Sequence, residues 1–192
     1  MTVCRPPAAR SLCRLLAAAI LAAAPATAAA QATQTFEPLF AQPGKDVVWV
    51  PTPEVMVDLM LDMAQVTADD MVVDLGSGDG RMVIAAARRG ARARGVEFNP
   101  DMVALSRRRA YEAGVQQRAT FVEGDMYEAD ISDASVMALF LLTENMRRLQ
   151  PKFLRLRPGT RIVSNSFTMG PTWPAEESQR FGMHYVYRWT IK

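Results

Sequence analysis

The stretch VVDLGSGDGRMVIAAARRGARARGVEFNP, Val72 to Pro100, decides the fold. An apolar run carrying Asp74 leads into three glycines at alternate positions, Gly76, Gly78 and Gly80. RMVIAAARRG follows, with apolar residues at helical spacing and a stop at Gly90, where a left-handed cap fits. ARARGVEF then reads as a second strand. Strand, glycine turn, helix and strand make a βαβ unit, which sets two parallel strands side by side under a helix.

The same alternation runs outward in both directions. Upstream, VVWVPTP is extended, because a residue before proline is driven to β or polyproline geometry. Glu54 to Ala64 follows Pro53 as a helix with Asp58 and Asp62 outward and Met56, Met60 and Met63 in the core. Downstream, PDMVALSRRRAYEAG reads as a helix, ATFVEGD and ASVMALFLL as third and fourth strands, and TRIVSNSF as a fifth. TENMRRLQPKFLRL reads as a helix interrupted by Pro151, and HYVYRWTIK as a final strand. GPTWPAEESQRFG, punctuated by proline and glycine, reads as a crossing of one sheet edge. The expected fold is α/β, a doubly wound, mostly parallel Rossmann-like sheet with helices on both faces, in one domain over residues 47–192.

The glycine loop departs from the dinucleotide pattern G-x-G-x-x-G. Counting from Gly76 and Gly78, the third glycine would fall at Arg81; the pattern here is D-x-G-x-G-x-G from Asp74. A carboxylate at the end of the first strand repels a phosphate and suits an ammonium. Glu97 ends the second strand, where an acid accepts from ribose hydroxyls, and Asp125 ends the third, placed to accept from an adenine amino group with Met126 packed on the ring. An ammonium, a ribose and an adenine in that order describe S-adenosyl-L-methionine. Ser77 in the loop and Phe98 beside Glu97 complete the expected cofactor set. Since Glu97 ends its strand at the crevice, its removal is expected to cost cofactor affinity and little stability. An NAD-dependent oxidoreductase is opposed by Arg81 and by the lack of a Tyr-Lys or His arrangement.

DLGSGDGR, GVEFNP and FVEGD resemble the cofactor motifs of the class I, seven-stranded S-adenosylmethionine-dependent methyltransferases, over roughly Val66 to Phe167. A narrower likeness comes from VWVPTPEVMVDLML, from Ser106, Arg107 and Arg109 in the second long helix, and from Phe167 with Thr172, Trp173 and Pro174. These are similar to the small protein-lysine methyltransferases that modify the c-subunit of mitochondrial ATP synthase. The resemblance implies methyl transfer to a protein lysine; a small-molecule acceptor and an exported, non-catalytic binding module are the alternatives. Transfer from a sulfonium needs no acid for the leaving group, so positioning in a dry pocket suffices and no His or Cys base is required. Acceptor-side candidates are Thr52 and Asn165, with Thr143 and Glu144 after the fourth strand. Arg107, Arg108 and Arg109 read as a solvated helix face, and His184 as structural. Trp49 and Trp173 read equally as core or pocket wall.

The N-terminus reads as a cleavable signal peptide over residues 1–30. Arg5, Arg10 and Arg14 precede LLAAAILAAA, and PATAAAQ supplies small residues for cleavage. About ten apolar residues are too few for a permanent membrane span. The expected destination is export, periplasmic or secreted, with a mitochondrial transit peptide as the alternative. Residues 31–46, polar with two prolines, read as a flexible surface arm. Cys4 and Cys13 both lie in the leader, so the mature chain has no disulfide and no thiol site. Cleavage takes away three arginines and moves the formal charge from +2 to −1, which disfavours nucleic acid as a partner; with both cysteines in the leader, no metal site is expected either.

Overall fold

The computed structural model describes residues 1–2, 36–44, 46 and 48–192; residues 3–30 of the leader and 31–35 and 45 of the arm lie outside the described residues. Thr35–Lys192 forms one unit. Helix α1 spans Glu54–Met63, followed by β1 (Met71–Leu75), α2 (Arg81–Arg88), β2 (Arg92–Glu97) and α3 (Pro100–Glu112). Then come β3 (Ala119–Glu123), β4 (Val136–Leu139), α4 (Thr143–Phe153), β5 (Arg161–Asn165), β6 (Glu177–Phe181) and β7 (His184–Thr190).

The seven strands lie in the order β3-β2-β1-β4-β5-β7-β6. β1 to β5 are parallel, while β7 runs antiparallel to both β5 and β6. The chain winds outward from β1 in both directions, so a crevice opens above the carboxyl ends of β1 and β4, where ligands bind in such sheets. α1, α2 and the inner side of α3 cover one face through Met56, Met60, Val83 and Ala110. α4 covers the other through Met146, Leu149 and Phe153, beside Trp189 of β7. At the opposite end of the sheet Asp70 accepts from the Thr67 amide and Ser135 Oγ and ion-pairs with Arg161. Burial pushes its carboxyl up, but these partners together outweigh burial and hold it below the usual range.

Two elements differ from the sequence reading. The segment expected to cross the sheet edge contributes β6, the edge strand itself, in a hairpin with β7 where Phe181 faces His184 across Gly182–Met183. Every residue of β6 is exposed, so it carries none of the apolar alternation by which strands are read. Pro151 does not interrupt α4, which runs on to Phe153. The proline stands in the last turn, where one lost backbone bond costs least.

Candidate active site

The turn from β1 to α2 is pressed against the end of β2. The amides of Gly76 and Ser77 both donate to the Val96 carbonyl, at 2.8 and 3.1 Å. Glu97 then holds the loop from the other side: Oε2 accepts from the Gly78 amide and Oε1 from the Asn99 amide, each at 2.9 Å. Glu97 is therefore a fastener of the glycine loop as well as a cleft residue, which corrects the expectation that its loss would spare stability. Gly78 has φ +53°, and a Cβ there would stand 2.6 Å from the indole nitrogen of Trp49. Glycine is required at that position by both backbone and space.

Asp79, between the second and third glycines, is 2% exposed. Arg81 meets it through Nε at 3.0 Å and Nη2 at 2.6 Å, and Arg109 through Nη1 at 2.5 Å. Burial pushes the Asp79 carboxyl up, but the hydrogen bonds and charge of Arg81 and the charge of Arg109 hold it below the usual range. Ser106 Oγ donates to the Gly78 carbonyl at 2.9 Å and Arg107 to the Phe121 carbonyl at 2.7 Å. The arginine run on α3 is thus engaged with the glycine loop and its neighbours instead of being a plainly solvated face. The Ser-Arg-x-Arg turn was the signal in the sequence that pointed there.

Two cavities open above the sheet. The larger, of about 240 Å³, is bordered by Gly76, Glu97, Phe98, Asp125 and Met126. The smaller, of about 50 Å³, is bordered by Thr52, Asp74, Gly76, Ser77 and Gly78. They share Trp49, Val50, Gly76 and Phe140. Asp74 is pushed up to about 8, chiefly by burial and then by the charges of Glu97 and Asp79. Asp125 Oδ1 accepts from the Tyr127 amide, which fixes the carboxylate at the end of β3.

Gly80 and Asn165 border neither cavity. Gly80 caps α2 with φ +80°, and a Cβ there would stand 2.8 Å from Phe121 and Ser106, so its role is packing beneath the loop. Asn165 is fully buried with its side-chain oxygen accepting from Ser166 Oγ, which removes it from the acceptor side. Ser77 borders the smaller cavity, but its hydroxyl is buried against the Gly95 backbone with no hydrogen-bond partner among the described residues. Thr143 and Glu144 begin α4 and border neither cavity; Glu144 pairs with Arg147 on the surface. His184 is exposed on β7 and contacts Ser166.

The two tryptophans separate. Trp49 walls both cavities, whereas Trp173 packs on the core, its carbonyl accepting from the Trp189 indole at 3.0 Å. Residues the sequence reading assigned no part in the site also contribute: Gln42, Pro43, Gly44 and Asp46 border the larger cavity, as do Phe140 and Phe167. The two phenylalanine rings stack at 6.0 Å between centroids. The later part of the arm is accordingly a wall of the site, tied back by paired backbone bonds between Ala41 or Gln42 and Trp49.

The cleft fits S-adenosylmethionine. A buried carboxyl stands at the smaller cavity for a cationic amino group, a fixed acid at the end of β2 for a diol, and an acid with a methionine at the end of β3 for a purine. When bound, that cofactor supplies a methyl group on a sulfonium. Asp74 on β1, Glu97 on β2 and Asp125 after β3 are the residues that would hold it, and Trp49, Phe140 and Phe167 would be the walls that exclude water.

Comparison with known proteins agrees with this geometry. Residues 74–177 match the ANTKMT methyltransferase domain. A protein-lysine N-methyltransferase of Saccharolobus islandicus is 44% identical over 133 residues, covering 68% of this chain and 83% of its own. The Mus musculus lysine N-methyltransferase of the ATP synthase c-subunit is 36% identical over 121 residues, covering 62% of this chain but only 49% of its own. Among solved structures, an RNA methyltransferase from Salinibacter ruber in complex with S-adenosyl-L-homocysteine is 48% identical with a TM-score of 0.72, covering 74% of this chain and 94% of that one. From the cleft and these likenesses together, the chain is a member of the ANTKMT methyltransferase-domain family and an S-adenosylmethionine-dependent methyltransferase.

Proposed function

We propose that the methyl acceptor is the ε-amino group of a protein lysine. The carrying observation is the aromatic wall that the two cavities share, Trp49 and Phe140, with Phe167 stacked on Phe140 and Thr52 at the border of the smaller cavity. Aromatic faces attract a cationic side chain, and Asp46, an acid of the larger cavity given no part in holding the cofactor, adds a negative charge beside them. The amine must be neutral to attack, and apolar walls favour its neutral form. The Thr52 carbonyl already accepts from Arg81 Nη1 at 2.8 Å, so the Thr52 hydroxyl is the oxygen that would orient the amine. The Saccharolobus relative supports this reading by its name, while that of the Salinibacter structure favours RNA as the second reading.

For the N-terminus the proposal is export, on the basic, apolar and small-residue pattern of residues 1–30. The acceptor is tested by incubating the mature protein with methyl-labelled cofactor and, separately, denatured bacterial protein and total RNA. Label on lysine, located by mass spectrometry, is the expected result. Label in RNA with none in protein would overturn it.

A further inference from the structure

Asp79 is the node of a chain of charges that reaches both flanks of Trp49. On one side Arg81 bridges Asp79 to the Thr52 carbonyl, three residues after Trp49. On the other, Arg109 bridges Asp79 to Glu37, with Nη1 2.5 Å from Asp79 and Nη2 3.4 Å from Glu37. Arg108 adds a second contact to Glu37 at 3.0 Å. Between these anchors, Ala41 donates to the Trp49 carbonyl and the Trp49 amide to the Gln42 carbonyl, both at 2.9 Å. The indole so held stands against Gly78 and walls both cavities.

We propose that Trp49 is a cofactor-positioning residue, and that Glu37, Arg109, Arg81 and Asp79 form the clamp that seats it. The clamp has one buried end and one wet end: Asp79 is 2% exposed, Glu37 61%. Salt screens the wet end and leaves the buried end intact. Retention of cofactor is therefore sensitive to ionic strength through Glu37, while the methyl-transfer step, carried out with the cleft already filled, is not. This assignment rests on cofactor binding alone and stands whichever acceptor the enzyme uses.

The test is the release rate of labelled S-adenosylmethionine into excess unlabelled cofactor, from about 0.05 to about 1 M NaCl, over which the screening length falls to about 3 Å. For the parent protein, release should quicken with salt. Glu37→Gln should release about two- to fivefold faster at low salt, the range expected of exposed ion pairs, with a flattened salt response. Its KM for cofactor should rise with kcat unchanged, and Glu37→Asp should recover part of the parent behaviour. Trp49→Ala should release faster still and Trp49→Phe should retain most of the hold. A Glu37→Gln variant with the parent's release rate and salt response would overturn the clamp. A Trp49→Ala variant releasing cofactor at the parent rate would overturn the role of the indole, and its ligand-free melting temperature reports whether it folds.

Discussion

Asp74 and Glu97 end neighbouring strands and are treated in opposite ways. Asp74 is buried, and its pKa is pushed from 3.8 to about 8. A carboxyl with a raised folded pKa is held neutral in the folded chain while the unfolded chain ionises. Its contribution to stability therefore falls as pH rises from about 4 to about 8, and is level above that. To pair with a cationic amino group the carboxyl must first lose its proton. Cofactor affinity is expected to rise by up to about tenfold per pH unit between about 6 and about 8. Calorimetry at pH 7 in buffers of different ionisation enthalpy should show a proton released on binding, and Asp74→Asn should abolish that release. Glu97, by contrast, is held by two backbone amides, from Gly78 and Asn99. Glu97→Ala should weaken cofactor binding by about ten- to a thousandfold, since bonds to a charged acceptor contribute about 1.5–3 kcal/mol each. It should also lower ligand-free stability by about 1–3 kcal/mol, because the Gly78 amide loses its partner. Urea denaturation without ligand checks the second figure; an unchanged midpoint would mean that the loop does not depend on Glu97.

Among the elements, the join of β2 to the glycine loop is the tightest in the site. Gly95 faces Asp74 in the β1–β2 register, and a Cβ on it would stand 2.6 Å from Ser77 Cβ and 2.9 Å from Phe121. Gly95→Ala should therefore lift the loop off β2, with a stability loss of about 1–3 kcal/mol as for other overpacked sites, and a loss of cofactor affinity beside it. Thermal melts with and without S-adenosylhomocysteine read both. The glycine in ARARGVEF is visible in the sequence as a break in a strand, but its purpose is set by a side chain from another segment. The strand–helix alternation from Met71 to Asn165 was legible because β1, β4 and β5 are buried on both faces, β3 alternates buried with exposed residues at its start, and each helix has one apolar stripe. β6 was not, because a wholly exposed edge strand is held by its pairing with β7 and has no periodicity of its own.

For the whole chain, the leader and the domain make separate claims. The proposed export predicts that the full-length protein, expressed in a bacterial host, is recovered from the periplasm with a new N-terminus near Ala29 or Gln31. A cytoplasmic product beginning at residue 1 or 2 would reject it.

The sequence alone determined the class of fold and the cofactor, and pointed to three strand ends beside the cleft, because these follow from local order: a βαβ unit, a glycine loop, and one acid at each of three successive strand ends. Nine of the thirteen expected site residues do border the two cavities. Tertiary structure decided the rest. It placed Asn165 in the core and turned Gly80 to packing, since whether a strand-end side chain meets the cleft depends on neighbouring segments. It also brought the end of the arm and Trp49 over the glycine loop and drew Arg109 to Asp79, a contact between residues 30 apart in sequence. Periodicity records which side of an element is apolar; it holds no record of which distant segment will lie on top of it.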